Sequence, residues 1–118
     1  MKVGYKQLLE DARKEVKAIS AQDAIAKQND GNVVFVDLRD IRELQREGMI
    51  PGAFHAPRGM LEFWVDPESP YHKEIFASGK QFILYCASGW RSALATQTVQ
   101  RMGLAPVMHI EGGFTAWR

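Results

Sequence analysis

Three apolar runs of strand length divide the chain, and segments with helical spacing of apolar residues lie around them. The runs are Val33–Val36, Gln81–Tyr85 and Val107–Ile110. Such runs are typical of strands buried on both faces of a parallel sheet. A shorter strand is predicted near residues 54–56, and helices at residues 5–18, 20–28, 41–47, 59–65, 71–77 and 94–102 and in a last segment ending at Trp117. Strands alternating with helices predict an α/β fold with a small, mainly parallel sheet flanked by helices on both faces.

Local signals support several of these helix boundaries. Ser20, with Asp23 three positions later, resembles a capping box at the start of the second helix. Residues 29–32, Asn-Asp-Gly-Asn, are typical of the turn that ends it. Gly48 is placed to stop the 41–47 helix, and Gly103 stands where a C-terminal cap is expected after residue 102.

Length and composition indicate one domain over residues 1–118, and the net charge bears on which partners are expected. The chain is 46% hydrophobic and 25% charged with a net charge of +1, so no general attraction to nucleic acid or an anionic membrane is expected. No run is long enough to span a bilayer, and the first six residues lack the apolar core of a signal peptide. A lone cysteine cannot form an internal disulfide, so a cytoplasmic location is expected.

Cys86, the only cysteine, stands where a reactive thiolate is expected. It follows the run Gln81–Tyr85 and opens the loop Cys86–Ser92, directly before a helical pattern. A strand that turns into a helix directs backbone N–H groups and positive potential at one point, and Arg91 is close in sequence. The thiol should therefore ionise more readily than that of a free cysteine. Asp37 also follows a strand, at the edge where parallel sheets form their sites.

The three histidines do not suggest a metal site. His55, His72 and His109 fall in different predicted elements and form no ligand pattern around Cys86, so core or surface positions are expected. Gly112-Gly113 lacks the further glycine and acid of a dinucleotide fingerprint and is interpreted as a turn.

Four segments in order resemble the single-domain rhodaneses, a sulfurtransferase family. They are residues 34–39 (Val-Phe-Val-Asp-Leu-Arg), 48–53 (Gly-Met-Ile-Pro-Gly-Ala), the Cys86–Ser92 loop, and 110–117 (Ile-Glu-Gly-Gly-Phe-Thr-Ala-Trp). Each segment alone is a weak signal, and their order and spacing make the resemblance specific. It covers roughly residues 18–118 and leaves residues 1–18 as an N-terminal helical extension.

The resemblance implies a persulfide mechanism without a metal or organic cofactor. Cys86 matches the cysteine that takes a sulfane sulfur from a donor such as thiosulfate, or from a protein-borne persulfide, and passes it to cyanide or a thiol. The loop that follows matches the cradle whose backbone amides hold the negative charge of the outer sulfur. Its residues are Ala87, Ser88, Gly89, Trp90, Arg91 and Ser92.

Other matched positions suggest supporting roles. Arg91 matches a basic position that would steer an anionic donor. Asp37 and Arg39 match the first-strand motif and are expected to brace the loop through hydrogen bonds, with substrate contact secondary. Arg58, beside a possible pocket rim, is a weaker candidate for anion binding. Trp90 is larger than the usual residue, and if it projects outward it would favour an apolar or protein-borne acceptor.

Three alternatives remain open at this stage. A cysteine phosphatase or arsenate reductase usually has five residues between its cysteine and arginine, whereas four separate Cys86 from Arg91, which suits a single sulfur atom better than phosphate. Residues 64–67 (Trp-Val-Asp-Pro) resemble the acid loop of such phosphatases, although the tryptophan is expected to fill the core. A non-catalytic binding or regulatory module usually lacks the cysteine. A redox sensor would need a partner thiol to form any disulfide.

Overall fold

Five parallel strands form one sheet in the computed structural model, which describes residues 1–118. The strands are β1 (Ala18–Ile19), β2 (Val33–Asp37), β3 (Phe54–His55), β4 (Gln81–Tyr85) and β5 (Val107–Ile110), in the spatial order β1-β5-β4-β2-β3. The three predicted apolar runs are the three inner strands, because only inner strands of a covered sheet are buried on both faces. The predicted parallel sheet is confirmed.

Six helices surround the sheet. They are α1 (Tyr5–Glu15), α2 (Ala21–Ala26), α3 (Ile41–Glu47), α4 (Leu61–Val65), α5 (Trp90–Met102) and α6 (Gly113–Trp117), with 3-10 turns at Arg58–Met60 and Glu74–Ala77. The side chain of Ser20 accepts a hydrogen bond from the Asp23 amide and so caps α2, without the reciprocal bond of a full capping box. Gly48 and Gly103 end α3 and α5 with positive φ angles of 81° and 106°. None of these helices is both long and apolar enough to cross a membrane.

The inner strands direct alternate residues to two separate cores. Val34, Val36 and Leu84 pack with α4 and α5 on one face of the sheet. Phe35 and Ile83 point to the other face, where α2 and α6 cover them. The predicted placement of helices on both faces is therefore confirmed. Helix α1 packs on α5 instead of on the sheet, through Leu9 and Ala12 against Ala93.

Two predicted helices are shorter than their apolar spacing suggests. Helix α1 ends at Glu15 because Ala18 and Ile19 pair with β5 as an edge strand, and two residues show no periodicity. Within residues 71–77 only the last four form a 3-10 turn. His72 and Lys73 are instead held by the Trp64 carbonyl, which accepts hydrogen bonds from both residues and takes the place of a first helical turn.

Helix α6 lies directly beneath the backbone that follows β4. The amides of Phe114 and Thr115 donate to the carbonyls of Cys86 and Ala87 at 2.8 and 3.1 Å. This approach requires glycine at position 113, where φ is +60° and a Cβ would lie 2.5 Å from the Cys86 oxygen. The last helix therefore fixes the position of the loop that contains the cysteine.

Replacing Gly113 by alanine should destabilise the fold more than the same change at Gly79. Both glycines have positive φ, which costs an L-residue about 1–2 kcal/mol. Only Gly113 is also pressed against backbone, whereas no atom lies within 4 Å of a Cβ at Gly79. We expect Gly113→Ala to lower the free energy of unfolding by about 2 kcal/mol more than Gly79→Ala in urea titrations. Equal losses would contradict the close approach of α6.

Candidate active site

The sulfur of Cys86 lies at the carboxyl end of β4 and accepts two backbone hydrogen bonds. The amides of Gly89 and Ser92 point at Sγ from 3.2 and 3.4 Å. Gly89 makes this possible because its φ of +101° turns the chain sharply into α5. Cys86 itself is only 1% exposed. Two N–H donors at a helix N-terminus suit a sulfur that carries negative charge.

The remaining loop residues form the wall around this sulfur. The carbonyls of Cys86 and Ala87 are held by α6, so the loop turns its N–H side toward Sγ. Ser88 is exposed, and together with Gly89 it lines a cavity beside the loop. The cavity has a volume of about 420 Å³, and its lining residues are Arg13, Val16, Ala18, Ser88, Gly89, His109, Glu111 and Gly112.

Ser92 also contacts the sulfur through its side chain and connects it to a histidine. Its Oγ lies 3.7 Å from Cys86 Sγ and 2.9 Å from His109 Nδ1. Burial lowers the pKa of His109 to about 4, and the positive charge of Arg13 acts in the same direction. The sequence predicted a core or surface position for His109 and no role at the site, and the residue is buried. Period-two alternation in β5 would have placed it on the face that α5 covers, but nothing local indicates its contact with Ser92.

Arg91 is paired with a carboxylate that sequence reasoning missed. Its two terminal nitrogens donate to the two oxygens of Glu43 at 2.8 and 3.0 Å. This hydrogen bonding lowers the pKa of Glu43 from 4.5 to about 2. Glu43 also caps α3 by accepting from the Asp40 amide, so the capping box is visible in the sequence while the contact with Arg91 is not. The charge of Arg91 is therefore largely balanced by Glu43, and its steering of an anionic donor stays a prediction.

Asp37 and Arg39 form a buried ion pair below the loop. Arg39 Nη2 donates to Asp37 Oδ2 and to the Gly48 carbonyl, each at 2.7 Å. Its guanidinium also lies over the Phe114 ring, 4.3 Å from the centroid. Both charged side chains are fully buried, so neither is placed to touch a substrate. Their connection to the loop runs through Phe114, whose amide holds the Cys86 carbonyl.

Arg58 and Trp90 occupy more exposed positions. Arg58 pairs with Glu62 on the next turn, Nη1 to Oε1 at 2.7 Å, and none of its hydrogen bonds reaches the loop. Trp90 projects outward and is 51% exposed. Tyr5 of α1 stacks on it with 5.2 Å between ring centroids. The rim of the site therefore contains an aromatic pair, one member of which comes from the N-terminal helix.

No group of three or more His, Cys, Asp and Glu side chains is arranged to hold a metal ion. Each of the three histidines forms a hydrogen bond within the protein: His55 with the Arg39 carbonyl, His72 with the Trp64 carbonyl, and His109 with Ser92. The groups around Sγ are hydrogen-bond donors, which suit an anion.

Comparisons with known proteins agree with this geometry. Residues 20–118 match the family described as the rhodanese-like domain. A sulfurtransferase of Allochromatium vinosum is 29% identical over 103 residues, which cover 87% of this chain and 86% of that protein. An uncharacterised Synechocystis protein is 32% identical over 107 residues, which cover 91% of this chain but only 50% of that relative.

A solved structure from Rhodopseudomonas palustris is similar over the full length of the chain. Its TM-score is 0.97 and its sequence identity 53%, and the match covers 100% of this chain and 91% of that one. That protein is described as one of unknown function and as a possible tyrosine phosphatase.

Glu43→Gln should release the guanidinium of Arg91 and make the site more attractive to anions. We expect the ratio of the alkylation rates of Cys86 by iodoacetate and by neutral iodoacetamide to rise about fivefold, since one unit charge near the sulfur is uncovered. Glu10→Gln removes the same charge from an exposed position on α1 that forms no ion pair, and it should leave the ratio unchanged. An unchanged ratio in Glu43→Gln would contradict the balancing of Arg91.

The same variant has a defined pH dependence. Because the folded-state pKa of Glu43 is depressed, its contribution to stability is complete above about pH 4.5 and is lost as the pH falls toward about 2. Arg91 is partly exposed, so solvent screening limits this contribution to about 1–2 kcal/mol. The difference in unfolding free energy between wild type and Glu43→Gln should therefore shrink across that range.

Proposed function

The chain belongs to the rhodanese-like domain family, and on that premise we propose that it is a sulfurtransferase in which Cys86 carries sulfur as a persulfide. The family assignment confirms the resemblance found in the sequence. The observation that carries the proposal is the convergence of the Gly89 and Ser92 amides on Sγ. Donors that can stabilise a thiolate also suit the terminal sulfur of a persulfide, because both present negative charge on sulfur.

The proposed reaction has two displacements at sulfur. The Cys86 thiolate attacks the outer sulfur of thiosulfate, a sulfur–sulfur bond forms, and sulfite leaves with the electron pair of the broken bond. An acceptor then attacks the outer sulfur of Cys86–S–S⁻ and regenerates the thiolate. A cyanide acceptor becomes thiocyanate, and a thiolate acceptor becomes a persulfide. Backbone N–H groups fixed by α5 hold the charge at each stage without reorganising, which lowers both barriers.

Burial of Cys86 favours a donor with a protruding sulfur atom. Because Cys86 is only 1% exposed, a slender terminal atom can approach its sulfur more readily than a bulky tetrahedral centre can. A thiosulfate ion or a persulfide on another protein meets this requirement. The exposed Tyr5–Trp90 pair at the rim supports an apolar or protein-borne acceptor. A cytoplasmic location is part of the same proposal.

Incubation with a sulfur donor should add one sulfur atom to Cys86. We expect this mass gain with thiosulfate or 3-mercaptopyruvate, and thiocyanate release when cyanide follows. Cys86→Ser keeps the size and the hydrogen-bonding capacity of the side chain but has no thiolate, so we expect turnover to fall at least 1,000-fold. The measurements are intact-protein mass spectrometry and a thiocyanate assay. Full turnover in Cys86→Ser would contradict the proposal, and so would a wild-type cysteine that accepts sulfur from no donor.

A phosphatase is the second candidate, because the Rhodopseudomonas palustris protein is described as a possible tyrosine phosphatase. Two features of this chain oppose it. Arg91, which would have to bind the phosphate, is paired with Glu43. The acid-loop candidate Asp66 lines a cavity with Met102, at the far end of α5 from Cys86. A 13-residue helix spans about 20 Å, too far for proton transfer.

The two functions can be separated with the same protein preparations. Hydrolysis of p-nitrophenyl phosphate that requires Cys86, without a detectable persulfide, would favour the phosphatase. Persulfide formation without ester hydrolysis would favour sulfur transfer.

A further inference from the structure

We infer that Ser92 and His109 form a hydrogen-bonded relay that carries the thiol proton of Cys86 to the cavity beside the loop. The relay is defined as the chain of atoms Cys86 Sγ, Ser92 Oγ and His109 Nδ1. It extends the proposed function, since sulfur transfer begins with the thiolate. Cys86 supplies the reacting sulfur and Ser92 touches it. His109 acts through Ser92 and is a positioning residue.

The geometry of the relay is continuous and shielded from water. Its two links measure 3.7 Å between sulfur and hydroxyl and 2.9 Å between hydroxyl and imidazole. All three side chains are buried. Ser92 lies in the first turn of α5, and His109 lies on the β5 face that this helix covers. A hydroxyl donates one hydrogen and accepts another, so it can connect a thiol to an imidazole in either direction.

The charges around His109 keep its ring neutral. Arg13 of α1 faces the His109 ring. Lys17 precedes β1, and its carbonyl accepts a hydrogen bond from the His109 backbone N–H. Glu111 follows β5 and lines the cavity. With its pKa lowered to about 4 by burial and by Arg13, the imidazole carries a single ring hydrogen near neutral pH. That hydrogen resides on either Nδ1 or Nε2.

The two tautomers of His109 set opposite donor-to-acceptor directions for the hydrogen bonds of the relay. With hydrogen on Nε2, Nδ1 accepts from the Ser92 hydroxyl, whose oxygen accepts from the thiol. When the thiol proton moves to Ser92 Oγ, the hydroxyl proton moves to Nδ1 and the Nε2 proton leaves to water. Sγ is then a thiolate, Nδ1–H donates to Ser92, and the hydroxyl donates to the sulfur. One proton has left, and the imidazole is neutral before and after.

The cavity supplies the exit for that proton. His109 is one of its lining residues. Its Nε2 forms no hydrogen bond to another protein atom, and it is not one of the fully buried polar atoms that lack a partner. Arg13 and Glu111 make the wall polar, so water is well accommodated there.

Alkylation of Cys86 by iodoacetamide as a function of pH tests the relay. We expect Ser92→Ala and His109→Leu each to shift the midpoint of the profile upward by about one pH unit, a tenfold loss of thiolate below the midpoint. Because both break the same chain, the double variant should shift no further than either single one. Ser92→Thr keeps the hydroxyl and should restore the wild-type midpoint. Thr96→Val removes another buried hydroxyl of α5, one without a partner, and should have no effect.

Unshifted midpoints in folded Ser92→Ala and His109→Leu, or shifts that add in the double variant, would overturn the relay. If His109→Leu does not fold, His109→Phe replaces it, since its ring keeps the flat shape of the imidazole but cannot form a hydrogen bond to Ser92. Phe should then give a shifted midpoint with a normal thermal transition. Alkylation needs no sulfur donor. Unshifted alkylation midpoints together with thiocyanate formation would therefore overturn the relay and leave the proposed function intact. Shifted midpoints without thiocyanate formation would leave the relay intact and contradict the proposed function.

Discussion

The position of the Cys86 sulfur depends on a buried pair of opposite charges. Arg39 and Asp37 have no contact with water, so each requires the other to remain ionised in the interior. The same guanidinium holds the end of α3 through the Gly48 carbonyl and lies over the ring of Phe114 in α6. Since α6 in turn holds the backbone of Cys86, one arginine connects the sheet, two helices and the loop. Removing one partner of such a pair typically costs about 3–5 kcal/mol.

Arg39 and Arg91 are both committed to carboxylates, and this shapes the electrostatics at the sulfur. Arg39 is paired with Asp37 and Arg91 with Glu43. The positive potential at Sγ therefore comes chiefly from backbone N–H groups, which act over a short range. A small anionic sulfur fits between such donors. A doubly charged ester gains more from a guanidinium that is free to bind it, and Arg91 is not free because it is paired with Glu43.

Local patterns predicted the parts of the molecule whose residues are neighbours in sequence. The inner strands, the start of α2 and the end of α5 followed from apolar runs and capping residues. Contacts between distant segments were not predictable in this way. Glu43 meets Arg91 across 48 positions, and Ser92 meets His109 across 17. Each of these residues also has an ordinary local role: Glu43 caps α3, His109 lies in β5, and Arg91 and Ser92 lie in the first turn of α5. Its partner is set by the way the helices pack on the sheet.

Helix α1 lies outside the region that matches the family, yet it borders the site on two sides. Tyr5 stacks on Trp90 at the rim, and Arg13 forms part of the cavity wall next to His109. A substitution on α1 can therefore change the surface around Cys86 while the sheet, the Asp37–Arg39 ion pair and the N–H donors to Sγ stay in place.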